Sequence, residues 1–191
     1  VAGVLSGRHV AHIQGGEVTG TIDESIRHAV TKLSHLHFVA TARAKRYVIR
    51  MGEPKQYIWN VGCPASDFLV NCQTETHMVQ PYLLVLQHPV TTEYGHERYL
   101  IIHSDTMEQV FRRIGLNVIQ IRGNHDAGVT STYCNGLPLT LNLDRQKFVD
   151  YMAHAACMVG NSSAGIREAC YFGTPVVNVG TRQNGRERGS N

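Results

Sequence analysis

Apolar runs of four to six residues alternate with longer stretches of helical periodicity along this chain, and that alternation admits few architectures. VAHI (10–13), HFVAT (37–41) and YIWNVG (57–62) read as strands. Between the first two, residues 22–36 place Ile26, Ala29, Val30 and Leu33 at helical spacing, and residues 42–51 predict a second helix. Over 67–81 the pattern dissolves into NCQTETHMVQP, which reads as a linker. It resumes with YLLVLQ (82–87), a helix over 105–114, NVIQIR (117–122), LTLN (139–142), a helix over 144–155, CMVG (157–160), a short helix and VVNV (176–179). Strands separated by helices predict an α/β fold of parallel sheets covered by helices. The later part of one Rossmann-like domain would occupy 1–75 and a second Rossmann-like domain 76–191. In such sheets ligands bind at the carboxyl ends of the strands, so the loops that leave those ends hold the candidate residues.

Composition removes several function classes. The longest apolar runs, such as LLVL (83–86), are far too short to cross a bilayer, so no membrane association is expected. A net charge of +3 without a basic block argues against a nucleic-acid partner. The first residues lack the layout of a signal peptide and do not begin with Met, so the expectation is a chain that starts inside a longer protein. Five cysteines without a Cys-x-x-Cys pair then read as reduced thiols of a cytoplasmic protein. The eleven histidines form no H-x-x-x-H or H-E-x-x-H pair, and no metal is expected.

Residues 160–180, GNSSAGIREACYFGTPVVNVG, carry the strongest local signal. Small hydroxyl residues and glycines turn the strand CMVG into a helix whose first backbone N–H groups have no partner within it. Ser162 and Ser163 suit a helix cap, and they suit equally a cradle for phosphate oxygens. Glu168 follows one to two turns later, where a carboxylate could accept from ribose hydroxyls. After VVNV, the loop GTRQNGRERG (180–189) brings Arg182, Arg186 and Arg188 to the same edge, and forked, permanently charged guanidinium groups match phosphates. His88, held extended by Pro89 at the end of YLLVLQ, suits a hydrogen bond to a phosphate or a purely local role.

In the first half, HIQGGEVTGTIDESIRH (12–28) gathers His12, Glu17, Asp23, Glu24, Arg27 and His28 around a Gly-rich loop. Asp23 and Glu24 open a helix, where a carboxylate favours the dipole whatever else it does. Glu17, between Gly-Gly and a Thr-Gly turn, has no such structural duty. Two carboxylates near one sugar carbon could act as general base and general acid.

HIQGGEVTGTIDESIRHAVTKLSH, QHPVTTE, GNSSAGIREACYFGTPVVN and GTRQNGRERG, in this order, resemble the hydrolysing UDP-N-acetylglucosamine 2-epimerases of sialic acid biosynthesis. The resemblance implies a GT-B-like architecture of two Rossmann-like domains with the nucleotide sugar in a cleft between them, no cofactor, and a homo-oligomer in the full-length family. It implies that UDP-N-acetylglucosamine and water give UDP and N-acetylmannosamine, by elimination of UDP across C1–C2 and hydration of the resulting glycal. On this chain it makes Glu17, Asp23 and His88 the catalytic candidates. His88, Ser162, Ser163, Arg167, Glu168 and Arg182 become the UDP-binding candidates, and His12, Arg27 and His28 line the substrate cleft. Family members extend further at both ends and carry an extra helix where this chain has only GNHDAGVTSTYCNGLP (123–138), so a fragment is expected. A relative acting on a bacillosamine-type UDP-amino sugar, a UDP-binding protein without turnover, and a GT-B glycosyltransferase stay open as alternatives.

Overall fold

The structure is a computed structural model that describes residues 1–93, 109–110, 113–122, 139–140 and 143–190. Of the helix expected over 105–114, only 109–110 and 113–114 are described, and they are helical. Cys134, the 123–138 connection and the last two residues of LTLN lie outside the described residues. The chain forms two compact units, Val1–Phe68 with Asn184–Arg186, and Leu69–Gln183 with Glu187–Asn191.

The first unit is built on three parallel strands in the order β1 (Ala11–Ile13), β2 (Leu36–Val39), β3 (Ile58–Asn60), with His12 opposite His37 and His37 opposite Ile58. Helices Asp23–Lys32 and Ala42–Arg50 make the two crossovers. Thr41 starts the second of these, its side chain accepting from the Ala44 N–H at 3.0 Å. Val39, Ala44, Val48 and Ile58 form the core of this unit. Helix Asp23–Lys32 departs from its sequence pattern. Ile26 and Val30 are 56% and 38% exposed, whereas the buried residue is Thr31. The apolar spacing identified the helix, but the polar side of it faces the sheet. A four-residue helix, Ala2–Leu5, precedes β1 and has no counterpart in the expected elements.

The second unit holds a five-stranded parallel sheet of β4 (Tyr82–Leu86), β5 (Asn117–Ile121), β6 (Leu139–Thr140), β7 (Cys157–Gly160) and β8 (Val176–Asn178). Their spatial order is β6-β5-β4-β7-β8. All five residues of β4 are buried, which is why that run reads as continuously apolar rather than alternating. Leu84 and Leu86 pack with Val149, Met152, Met158 and Ala164 on one face, while Leu83, Val85 and Val159 cluster on the other. Helix Arg145–Ala153 begins at Asp144, whose carboxylate accepts from the Lys147 N–H at 2.8 Å.

Residues 67–81 differ from the expected linker. Helix Pro64–Asn71 runs into them, and the stretch after it is fastened to helix Arg145–Ala153 by the buried Asp150. Asp150 accepts from the Glu75 N–H (3.3 Å), from Gln146 Nε2 (2.9 Å) and pairs with His77 Nε2 (2.9 Å). Burial alone would raise the Asp150 carboxyl, yet these hydrogen bonds bring it below its ordinary value.

The sheet's two halves meet at β4 and β7, and Gly160 lets them meet closely. Its φ is +139°, and a Cβ there would lie 2.1 Å from the Leu86 carbonyl oxygen. Gly160→Ala must therefore separate the ends of the two central strands, and we expect a loss of at least about 2 kcal/mol in chemical denaturation.

Candidate functional site

Chain order and spatial order together define a switch point in the second unit. From β4 the chain builds outward through β5 and β6, then returns to the other side of β4 with β7 and β8. Loops leaving β4 and β7 therefore diverge, and the crevice they leave at the carboxyl edge is where doubly wound sheets bind ligands. His88 follows β4, and Ser162 follows β7.

One side chain organises that edge. Asn161 is wholly buried, and its amide grips the backbone of His88 in both directions. Oδ1 accepts from the His88 N–H at 2.7 Å, and Nδ2 donates to the His88 carbonyl at 2.8 Å. Because both partners are backbone groups, only one orientation of the amide satisfies them. The Asn161 main chain is held as well. Its N–H donates to the Leu86 carbonyl at 3.2 Å, and its carbonyl accepts from Gln183 Nε2 at 2.7 Å. Gln183 is itself 1% exposed, and the Thr181 hydroxyl donates to the Glu93 carboxylate. The loops after β4, β7 and β8 are thus cross-linked around the switch point, with His88, Ser162 and Arg182 half-buried within them.

Beyond Asn161 the expected helix is short. It spans Ser163–Arg167 and gives way to a 3₁₀ turn, Ala169–Phe172, that ends at Gly173 with φ +67°. Ser162 is the cap, its Oγ accepting from the Ala164 N–H at 3.3 Å, and Ser163 is the first helical residue. Arg167 closes the helix, and its carbonyl accepts from the Cys170 thiol at 3.6 Å. Glu168 therefore lies past the helix rather than one to two turns down it. Its carboxylate meets Arg145 Nη2 at 2.6 Å.

The first unit collects the other candidates after β1. Gly16, with φ +78°, lets the loop lie on helix Ala42–Arg50, since a Cβ there would be 2.4 Å from the Ala44 carbonyl oxygen. Glu17 then pairs through Oε2 with Arg186 Nη2 at 2.9 Å, both side chains being 11% exposed. Arg186 is thus grouped with the first unit, where it stands against the Gly-rich loop. Arg27 Nη1 donates to the Glu17 carbonyl at 3.0 Å, and Glu24 accepts from the Thr19 N–H at 2.7 Å. Neither Asp23 nor Glu24 caps its helix through the side chain; Glu24 braces the preceding loop, and Asp23 is exposed in the first turn. His28 Nε2 approaches Glu24 at 3.8 Å.

His12 has a defined tautomer. The Thr31 hydroxyl donates to the Arg27 carbonyl at 3.1 Å, so toward His12 Nδ1, also at 3.1 Å, it can only accept. Nδ1 carries the hydrogen and Nε2 the lone pair. Burial, followed by the charges of His37, Arg27 and His28, lowers the His12 pKa and favours that neutral ring. Arg27 and Arg186 are both lowered first by burial; Arg186 adds to this at Arg27, and Asp23 opposes it at both. Each remains a cation at any physiological pH.

Sequence reasoning found the loops but missed Asn161 and Gln183 as their fasteners. The signal for Asn161 was a polar residue that directly follows a buried strand, a position where a side-chain amide needs partners. Replacing Asn161 by Ala leaves the His88 N–H and carbonyl without their buried partners, at about 1–3 kcal/mol for each group. Denaturation of Asn161→Ala should register that loss, and calorimetry should register a parallel weakening of any ligand held by the switch-point loops.

The family model for UDP-N-acetylglucosamine 2-epimerase matches residues 1–191. A UDP-N,N'-diacetylbacillosamine 2-epimerase (hydrolyzing) of Legionella pneumophila is 39% identical over 200 residues, covering 95% of this chain and 52% of the relative. A UDP-N-acetylglucosamine 2-epimerase of Neisseria meningitidis serogroup B is 37% identical over 210 residues, covering 98% and 53%. The chain thus spans about half the length of the curated relatives it matches. Among solved structures, N. meningitidis UDP-GlcNAc 2-epimerase bound to UDP-GlcNAc aligns with a TM-score of 0.70 at 15% identity, over 93% of this chain and 54% of the other. The Methanocaldococcus jannaschii UDP-GlcNAc 2-epimerase in complex with UDP-GlcNAc and UDP gives 0.72 at 16%, over 92% and 54%. At such identities these structures speak for the fold, an α/β, GT-B-like one with parallel sheets. The chain belongs to the UDP-N-acetylglucosamine 2-epimerase family.

Proposed function

We propose that this chain carries the working residues of a hydrolysing UDP-N-acetylglucosamine 2-epimerase, which converts UDP-N-acetylglucosamine and water to UDP and N-acetylmannosamine. The observation that carries the reading is the fastened switch point, where loops bearing His88, Ser162 and Arg182 are locked together by Asn161 and Gln183. A preorganised set of backbone and side-chain donors suits a diphosphate, whose charge is developed further as it leaves. Family membership supports uridine and an N-acetyl sugar as the rest of the ligand.

In this reading the second unit binds the leaving group. Ser162, Ser163 and Arg182 hold phosphate oxygens, His88 donates to the diphosphate, Arg167 supports the same charge, and Glu168 accepts from the ribose hydroxyls. The ion pair with Arg145 aims the Glu168 carboxylate for that purpose. Glu17 and Asp23 in the first unit move the protons, with His12, Arg27 and His28 around them. A base takes the C2 proton while the C1–O bond breaks and its electron pair leaves with UDP. Water then adds at C1 and a proton returns to the opposite face of C2, which inverts that centre. The homo-oligomer implied by the resemblance and the cytoplasmic location expected from the cysteines are part of the same proposal.

A second reading is favoured by the 39% identity to the Legionella enzyme, namely hydrolysis of a diacetylbacillosamine-type UDP-amino sugar by the same steps. Product analysis separates the two. Free N-acetylmannosamine from UDP-N-acetylglucosamine is expected, with turnover lost in Glu17→Gln and Asp23→Asn. Turnover of only the diacetylated sugar would establish the second reading, and UDP binding without any turnover would establish a binding protein. Arg182→Ala and the Ser162→Ala/Ser163→Ala pair should each weaken UDP by about 1–3 kcal/mol per charged hydrogen bond removed. Unchanged UDP affinity in both would refute the phosphate assignment.

A further inference from the structure

Glu17 and Arg186 are 169 residues apart in sequence, yet they form the tightest ion pair in the Gly-rich loop of the first unit. Both side chains are almost wholly shielded from water, and the Oε2–Nη2 separation is 2.9 Å. A carboxylate so shielded is costly to keep charged unless a cation stands against it. The surrounding charges are Arg27, Asp23 and Glu24 on helix Asp23–Lys32, together with Cys63 after β3, which lies near Arg186. Of the two guanidinium groups here, Arg27 grips the Glu17 main-chain carbonyl, and Arg186 grips its carboxylate. The loop beneath cannot easily drift, because Gly16 is wedged on Ala44 and a Cβ at Gly185 would meet Val18 at 2.8 Å. Asp23, by contrast, is exposed at the head of its helix, and Arg27 and Arg186 feel its charge without an ion pair of the Glu17 kind being formed by it in the helix cap.

We propose that Arg186 is the positioning residue of Glu17: it holds the carboxylate charged and in a fixed direction, which makes Glu17, rather than Asp23, the base that removes the C2 proton. This rests on the elimination reaction proposed above. In that step the Glu17 carboxylate gains the proton, the C2–H electron pair becomes the C1=C2 bond, and the C1–O pair departs with UDP. The neutral Glu17 acid remains hydrogen-bonded beside Arg186, whose charge does not change. An Arg is suited to this task because its fork fixes direction as well as charge.

The test uses the full chain, with Arg186→Gln and Arg186→Lys as variants and Glu17→Gln to assign the Glu17 carboxyl resonance. Carbon-detected NMR follows the titration of that carboxyl, and kcat/KM is measured against pH. In the unmutated chain Glu17 should titrate below the usual Glu range, which checks the proposal even without a folded variant. Arg186→Gln should raise its midpoint by roughly one to three pH units, the effect of removing a neighbouring cation. The acid limb of kcat/KM should move up by the same amount, with the rate recovering at high pH, and Arg186→Lys should restore most of the shift. UDP affinity should stay unchanged throughout. An ordinary or raised Glu17 midpoint in the unmutated chain overturns the proposal. So does a midpoint that Arg186→Gln leaves in place, or a moved midpoint with an unmoved acid limb. Loss of UDP affinity with no change at Glu17 would instead make Arg186 a nucleotide ligand. If the unmutated chain turns over no UDP-amino sugar, the epimerase reading fails, while the Glu17 titration still decides the pairing.

Discussion

The buried amide of Asn161 replaces a stretch of missing sheet. Beyond Leu86 and Gly160 the two central strands diverge, and the backbone of His88 would otherwise face a protein interior with its N–H and carbonyl unmatched. Asn161 supplies one acceptor and one donor at the spacing a neighbouring strand would offer. Its own carbonyl is then matched by Gln183, which draws in the loop after β8. Asn161 and Gln183 are buried and His88 is half-buried, so failure of one bond weakens the next, and the carboxyl edge of the sheet holds together as a unit. The close approach depends in turn on Gly160, which no residue with a side chain could replace without moving the Leu86 carbonyl.

The two units solve different problems with the same fold. In the second, the side-chain amides of Asn161 and Gln183 lock the loops and leave hydroxyl, imidazole and guanidinium groups at the edge, a composition that suits a polyanion. In the first, buried charge is balanced locally: Arg186 against Glu17, Arg27 against a carbonyl, Glu24 against a backbone N–H. His12 is kept neutral by burial and by the cations around it, and its tautomer is set by Thr31. Arrangements of this kind fix which groups can accept a proton before any ligand arrives.

Much of the fold was legible because it rests on local patterns. CMVG matches β7 residue for residue, YLLVL declares a central strand, and Asp144 marks the start of its helix. Failures came where long-range contacts decide. The 67–81 stretch lacks periodicity, but Asp150, far along the chain, pins it down. Ile26 and Val30 announced a helix whose buried residue is Thr31, its hydroxyl meeting His12 Nδ1 on β1. The candidate residues were found through loops at strand ends, whereas their supports were not: Asn161 reaches 73 residues back, and Arg186, 169 residues beyond Glu17, joins the first unit's Gly-rich loop. No window along the sequence contains both members of either pair.

Hydrogen exchange with and without UDP examines the central claim, that the fastened loops after β4, β7 and β8 form one nucleotide cradle. Amides of residues 87–88, 161–164 and 181–183 should gain protection together when UDP is added, with the His88 amide already slow in its absence. Protection confined to other segments, or a His88 amide that exchanges freely in the unliganded chain, would contradict it.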